Sequence, residues 1–226
     1  MKVFNISYSD NSGGAARAAY RINEAMNQNG VDSIMHVNLK LTDNIFVKQI
    51  YYGLSKKLLP LRSSIVSLIS RLLKTSNPII HSPALLPSRW PKYINNSDAD
   101  IIHLNWINAE MLSIADIRKI NKPIIWTIVD MWAFCGAEHL SSDERWKDGY
   151  SSNNRPSDES GLDLNRWTWQ RKVKNWQSPI HIVTPSRWLA ECVNQSKLMH
   201  SWPVTVIPNP IDINIFQPID KKIAKA

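Results

Sequence analysis

The chain has 226 residues, with 27 Lys and Arg against 19 Asp and Glu, a formal net charge of +8. Its 43% hydrophobic and 20% charged content is that of a soluble globular protein and excludes disorder as the main state; 7 Gly and 13 Pro exclude collagen-like and low-complexity chains. Two cysteines, Cys135 and Cys192, are too few for a disulfide framework or a thiolate metal cluster, which suits a reducing compartment.

The N-terminus has no apolar run that reads as a signal peptide, and no stretch approaches the roughly 18 apolar residues of a spanning helix. The expectation is a cytoplasmic protein. Residues 2–8 (KVFNISY) read as a first strand, 9–14 as a turn, and 15–29, rich in Ala and other helix formers, as a helix stopped by Gly30. Residues 31–37 read as a second strand. This β–loop–α–β opening is that of a doubly wound, mostly parallel sheet.

The next stretch carries the charge. Between Ile45 and Ser97 there are eight basic residues and no acid, whereas the rest of the chain balances 19 against 19. Within it, Leu58, Leu61, Ile65, Leu68, Ile69 and Leu72 recur at helical spacing, with Pro60 in a first turn or between two short helices. A basic helix with an apolar face suits an anionic membrane surface, or equally a core-packed helix with solvated Lys and Arg. Nucleic acid is not expected, because no aromatic residues interleave with the charges and no binding motif is present.

Residues 77–91 are irregular and rich in Pro and Ser. Alternation resumes with a buried strand at 99–106 (ADIIHLNW), a helix at 109–120 and another buried strand at 122–129 (KPIIWTIV). Residues 130–163 read as a long functional loop. A helix at 164–177, a strand at 180–184, a helix at 186–196 and a strand at 204–208 complete the pattern. Apolar runs alternating with helices argue for an α/β parallel sheet covered on both faces. Ten tryptophans either line a cleft or fill the core.

Five places carry candidate chemistry. Gly13 and Gly14, followed by Arg17, lie between a strand and a helix, where backbone N–H groups can approach an anion; a plain tight turn is the alternative. His103, Asn105 and Trp106 end a predicted strand, where ligands bind in open α/β sheets, although a lone His there also suits a structural role. Asp130 follows a buried strand directly and can act as a base, bind a hydroxyl, or cap the next segment; His139 lies nine residues on. Glu138 and His139 make no metal motif, so no metal ligands are assigned. Ser186 caps a helix, which places Arg187 near its positive end. Asn209 lies between two prolines at the exit of the last strand.

Read together, SDNSGGAARAAYRI (9–22), DIIHLNWIN (100–108), TIVDMWAFCGAEH (127–139), RWTWQRK (166–172), IVTPSRWLA (182–190) and VIPNPIDINIFQP (206–218) resemble the N-terminal, acceptor-side half of family 4 glycosyltransferases with the GT-B fold. The likeness covers nearly the whole chain except about 39–96, which in such enzymes is the variable acceptor-facing part. The resemblance implies one Rossmann-like domain over 1–212 and a linker or the start of a second domain at 213–226. It implies transfer of a hexose-type sugar from a sugar nucleotide to a glycan or lipid-linked acceptor, usually with retention and without a metal. No cofactor is expected beyond the sugar nucleotide as donor substrate. Such enzymes often build cell-surface polysaccharides on the inner membrane face.

The resemblance places Gly13 and Gly14 near the donor diphosphate and Asp130 at the cleft. It makes Asp130 and His139 the candidate catalytic pair, and Gly13, Gly14, Arg17, His103, Asn105, Trp106, Ser186, Arg187 and Asn209 candidate substrate-binding residues. Two departures stand out. Many members have His immediately before the Asp, where this chain has Val129. The family's donor domain follows the stretch that ends here at Pro218, so a separate or missing donor domain is implied. The alternative is a non-catalytic remnant that binds a glycan, a lipid or a transferase subunit. A missing partner would also leave the face near Gly13, Trp106, Trp132 and Trp188 apolar and exposed, and the chain prone to self-association.

Overall fold

The structure is a computed structural model that describes residues 1–50, 55–213 and 216–219; of residues 55–61 and 63 only the backbone is described. The chain opens with β1 (Lys2–Ser9), α1 (Gly14–Gln28), β2 (Asp32–Leu39) and β3 (Val47–Gln49). The basic segment then forms α2 (Ser55–Ser70), β4 (Leu73–Lys74) and α3 (Trp90–Asn95). After it come β5 (Ile101–Leu104), α4 (Ile114–Arg118) and β6 (Ile124–Thr127), then α5 (Arg145–Asp148) and β7 (Ser160–Gly161). The last elements are α6 (Leu164–Asn175), β8 (His181–Thr184), α7 (Arg187–Gln195) and β9 (Val204–Val206).

Seven strands form one sheet in the order β3-β2-β1-β5-β6-β8-β9. Every pairing in it is parallel, with Ile6 opposite Leu104, His103 opposite Ile125 and Thr127 opposite Val183. This is the expected Rossmann-like α/β sheet. The strand order reverses between β1 and β5, and in such sheets ligands sit beyond the carboxyl ends at that point.

The two sheet faces differ. Phe4, Ile6, Ile102, Leu104, Trp126 and Ile182 point into the main core, with α3, α4 and α7 supplying Trp90, Ile117 and Leu189, and with Trp176 directly after α6. On the other face Ala19 of α1 packs with Met35, Val37 and Val47. Ala at 15, 16, 18 and 19 explains both the helix and its close approach: Ala favours helix most and leaves no bulk between backbone and sheet. Asn5, which alternates with Phe4 and Ile6, donates to the Ala19 carbonyl at 3.2 Å. Six of the ten tryptophans are buried, so most of them fill the core. Trp126, Trp132 and Trp176 meet edge to face, with centroids 5.4 to 6.2 Å apart, an arrangement worth about 0.5–1.5 kcal/mol per pair beyond area burial.

Three local expectations need correction. The helix expected over 109–120 is only α4, because Ala109 and Glu110 take φ of 54° and 58°. Glu110 leaves the helix phase and its carboxylate accepts the amides of Leu85 and Leu86. Ser113 then starts α4 with a capping box to Asp116. Second, the irregular middle contains β3 and α3, which were not anticipated. Of the expected amphipathic stripe, Leu58 and Leu61 have side chains outside the described residues. Ile69 packs with Leu73, Ala137 and Leu164, whereas Leu68 and Leu72 are exposed.

Third, the long functional loop expected over 130–163 contains α5 and β7, and its first part belongs to the core. Every residue from Met131 to His139 is buried. The loop is held from inside by Lys172 of α6, whose ammonium donates to the carbonyls of Trp132, Cys135 and Gly136. Its outer part is tied by Arg145, which pairs with Asp143 at 2.9 Å and Glu159 at 3.0 Å, and by β7, which pairs antiparallel with β4. Buried backbone must find partners, and here one lysine supplies them.

Candidate functional site

Because all seven strands run the same way, the segments after β1, β5, β6, β8 and β9 emerge along one edge. The turn after β1 is built by side chains. Ser9 Oγ accepts the amides of Asn11 and Ser12, and Arg17 Nε donates to Asn11 Oδ1 at 3.2 Å. Asp10 is buried beneath it and accepts the Leu41 and Thr42 amides at 2.8 and 2.9 Å and the Thr42 hydroxyl. Burial would raise the Asp10 carboxyl, but these donors hold it below its ordinary value. Gly13 has φ 89°, a conformation that glycine adopts without strain. Gly13, Gly14 and Arg17 are exposed at this end of α1.

The segments after β5 and β6 meet beside it. Trp106 is half-buried, 5.9 Å from the Tyr8 ring edge-on and 5.9 Å from the His139 ring. His139 Nδ1 lies 2.7 Å from Asp130 Oδ2, and its Nε2 lies 2.9 Å from Ser82 Oγ and 3.4 Å from Asn108 Nδ2. Asp130 Oδ1 accepts the Trp132 amide at 3.0 Å, so the capping role and the pairing with His139 coexist on one carboxylate. Its side chain is 25% exposed, whereas that of His139 is 6% exposed. Asp130 is therefore the group of this pair that faces solvent at the strand ends.

The remaining candidates separate from this cluster. His103 is buried on β5 with Nε2 on Thr127 Oγ1 at 2.7 Å, and burial lowers its pKa to about 4. Asn105 is buried, donating to Asn5 Oδ1 at 2.5 Å and accepting from the Trp126 indole. Both point into the sheet rather than out of it. Ser186 caps α7 through the Leu189 amide, and Arg187 beside it is exposed. Asn209 is exposed after β9, where the chain turns back toward α1 and Arg21 covers the Phe216 ring at 5.1 Å. The structure thus unites Trp106, Asp130 and His139, and sets Gly13, Gly14, Arg17, Ser186, Arg187 and Asn209 along the same edge.

The expected apolar face is only partly present. Trp188 is 57% exposed, but Trp132 is buried between Trp126, Trp176 and the Lys172 ammonium. Two contacts escaped sequence reasoning. Ser82 lies in the irregular 77–91 stretch, which carries no motif, and Asn108 ends the DIIHLNWIN stretch, whose candidate binding residues are His103, Asn105 and Trp106 alone.

A parallel sheet whose strand order reverses between β1 and β5, with helices on both faces, defines a doubly wound α/β domain, and the candidate site lies at its carboxyl edge. The sequence profile of Glycosyltransferase Family 4 matches residues 12–215, and the chain belongs to that family. No curated protein sequence matches it. Family membership supports a glycosyltransferase-like role, with sugar donor and acceptor as substrates in general terms. No helix among the described residues is long and apolar enough to cross a membrane.

Proposed function

We propose that this chain forms the acceptor-side wall of an enzyme that moves a hexose-type sugar from a sugar nucleotide to a glycan or lipid-linked acceptor in cell-surface polysaccharide synthesis. The observation that carries the reading is the Asp130–His139 pair beside Trp106 at the strand ends. A sugar needs an acceptor for its hydroxyls and an aromatic surface for its C–H face, and this edge offers both. The turn at Gly13 and Gly14 supports the donor diphosphate as its neighbour, since backbone N–H groups at a helix start favour anions.

The acid-free segment 45–97, with Ile65, Leu68 and Leu72 exposed on and just after α2, supports a peripheral site on the anionic inner membrane face. The test is incubation of the protein, together with the donor domain that an acceptor-side wall requires, with radiolabelled hexose nucleotides and a lipid-linked saccharide. Transfer that Asp130→Asn abolishes supports the proposal. Saturable glycan binding without transfer points instead to a binding module, and the absence of both overturns the reading.

A further inference from the structure

Ser82 belongs to no motif, and its position is set by backbone pairing. The His139 amide donates to the Ile80 carbonyl at 3.2 Å and the Ser82 amide to the Ala137 carbonyl at 2.7 Å. The Trp132 indole donates to the Ser82 carbonyl at 2.7 Å. These bonds run 80–82 antiparallel to 137–139, with His81 bridged to Glu138. They leave Ser82 Oγ facing His139 Nε2 at 2.9 Å.

The proton positions follow from the chemistry of the partners. An ionised carboxylate only accepts, so Nδ1, 2.7 Å from Asp130 Oδ2, carries hydrogen. In the neutral ring Nε2 is then a bare acceptor, and the Ser82 hydroxyl donates to it. Asn108 Nδ2, at 3.4 Å, faces the same lone pair.

A Ser–His–Asp chain with these distances resembles that of a serine nucleophile, but exposure runs the other way. Ser82 is 5% exposed and His139 6%, while the Asp130 side chain is 25% exposed. The open end is the carboxylate. One cavity that Asp130 lines together with Trp106 and Trp132 holds about 10 Å³, room for about one water.

We propose that Ser82 and His139 are positioning residues that aim the Asp130 carboxylate at a substrate hydroxyl: Asp130 sets the tautomer of His139, and Ser82 holds the ring in place from its far side. The proposal rests on the glycosyl-transfer reading for the identity of that hydroxyl. Its structural content is separate: one ring orientation, held by one serine. A ring freed at Nε2 would turn and release Asp130 Oδ2 part of the time, and misplacement of a reacting group on the order of 1 Å costs about a hundredfold in rate.

The test uses the full chain with ¹⁵N-labelled histidine at pH 8, with the His139 signals assigned by their loss in His139→Gln. The expected wild-type spectrum shows His139 as the Nδ1–H tautomer. In Ser82→Ala the Nε2 signal shifts, because its hydroxyl donor is gone, while Asp130 keeps Nδ1 protonated; Ser82→Thr, which keeps the hydroxyl, restores the wild-type pattern. A wild-type ring protonated at Nε2 alone, or a Ser82→Ala spectrum identical to wild type, overturns the proposal. In the transfer assay Ser82→Ala is expected to lower turnover about ten- to a hundredfold and Ser82→Thr to recover it; unchanged turnover beside a shifted Nε2 signal also overturns it. Absence of transfer by the wild type defeats the functional reading alone, because the tautomer spectra need no substrate.

Discussion

The Lys172 ammonium sits 4.0 Å above the centre of the Trp132 ring and donates to the carbonyl of the same residue. Its other two bonds go to the carbonyls of Cys135, at 3.1 Å, and Gly136, at 2.6 Å. Three donors meet three acceptors, so a fully buried cation is satisfied by backbone and an aromatic face rather than by a carboxylate. Burial pulls the ammonium down to about 7, with Cys135, Glu138 and Asp130 pulling the other way. Lys172→Met keeps most of the side-chain volume and removes all three donors. Leaving buried carbonyl acceptors without a donor costs about 1–3 kcal/mol each. Urea unfolding should show a loss of that size. A change of under about 1 kcal/mol would mean that the loop carbonyls find other donors.

Gly136 and Gly14 make a contrasting pair. A Cβ on Gly136 would lie 2.6 Å from Glu138 Oε2 and 2.7 Å from the Cα and Cβ of Asn165. Asn165 is fixed by its own bond to the Ala137 amide, so it cannot move aside. Gly136→Ala is expected to cost about 1–3 kcal/mol, as overpacked cores do. At Gly14 a Cβ would meet nothing within 4 Å, and the residue is helical. Gly14→Ala should leave thermal stability unchanged or raise it by about 0.5–1 kcal/mol. If the turn receives a diphosphate, the same variant should weaken binding of a sugar nucleotide in calorimetry. Unaltered binding would remove Gly14 from the donor site.

The parallel sheet was legible because its strands are short apolar runs separated by helices, as in IIHL at 101–104 and IIWT at 124–127. Asp130 was legible for the same reason, since a carboxylate directly after a buried strand stands at a predictable edge. His103 shows the limit. The strand expected over 99–106 stops at Leu104, and alternation turns the His103 ring onto the sheet face toward Thr127. The 109–120 helix failed because Glu110 is drawn out of helical φ by the amides of residues 85 and 86, a contact spanning 24 positions. Ser82 could not be read at all. Its partner lies 57 residues away, and only the backbone pairing of 80–82 with 137–139 brings them together.

Two histidines should govern acid sensitivity. Burial lowers both His36 and His103 to about 4, with Lys48 adding to the effect on His36. Their ordinary value is 6.5. Between the two, the unfolded chain binds protons that the folded chain refuses, so stability falls as pH falls below 6.5 and the loss is complete below about 4. Each histidine can contribute up to about 3 kcal/mol of that loss. His36→Phe preserves the stack on Phe4, whose ring centroid is 4.1 Å away, and removes a buried Nδ1 with no partner. The variant's urea midpoint should fall less than that of the wild type between pH 7 and 4.5. Parallel curves would show that His36 protonates within the fold.

Asp130→Asn separates chemistry from stability at the site. The amide oxygen can still accept the Trp132 amide in place of Oδ1, so the loop keeps its cap. The amide nitrogen, however, faces His139 Nδ1, where two donors would meet. The ring must then give up its Nδ1 proton and present Nε2–H to Ser82, which can accept as well as donate. Because the side chain is partly solvated, this rearrangement should cost no more than about 1 kcal/mol in unfolding experiments. The carboxylate charge is lost entirely. If Asp130 binds or deprotonates the acceptor hydroxyl, transfer should fall about 10²–10⁴-fold, mainly in kcat. Trp106→Ala should instead raise KM for the acceptor, because a ring that only supports a sugar face binds ground and transition states alike. Equal effects of the two variants on kcat and KM would mean that Asp130 shapes the crevice without taking part in the reaction.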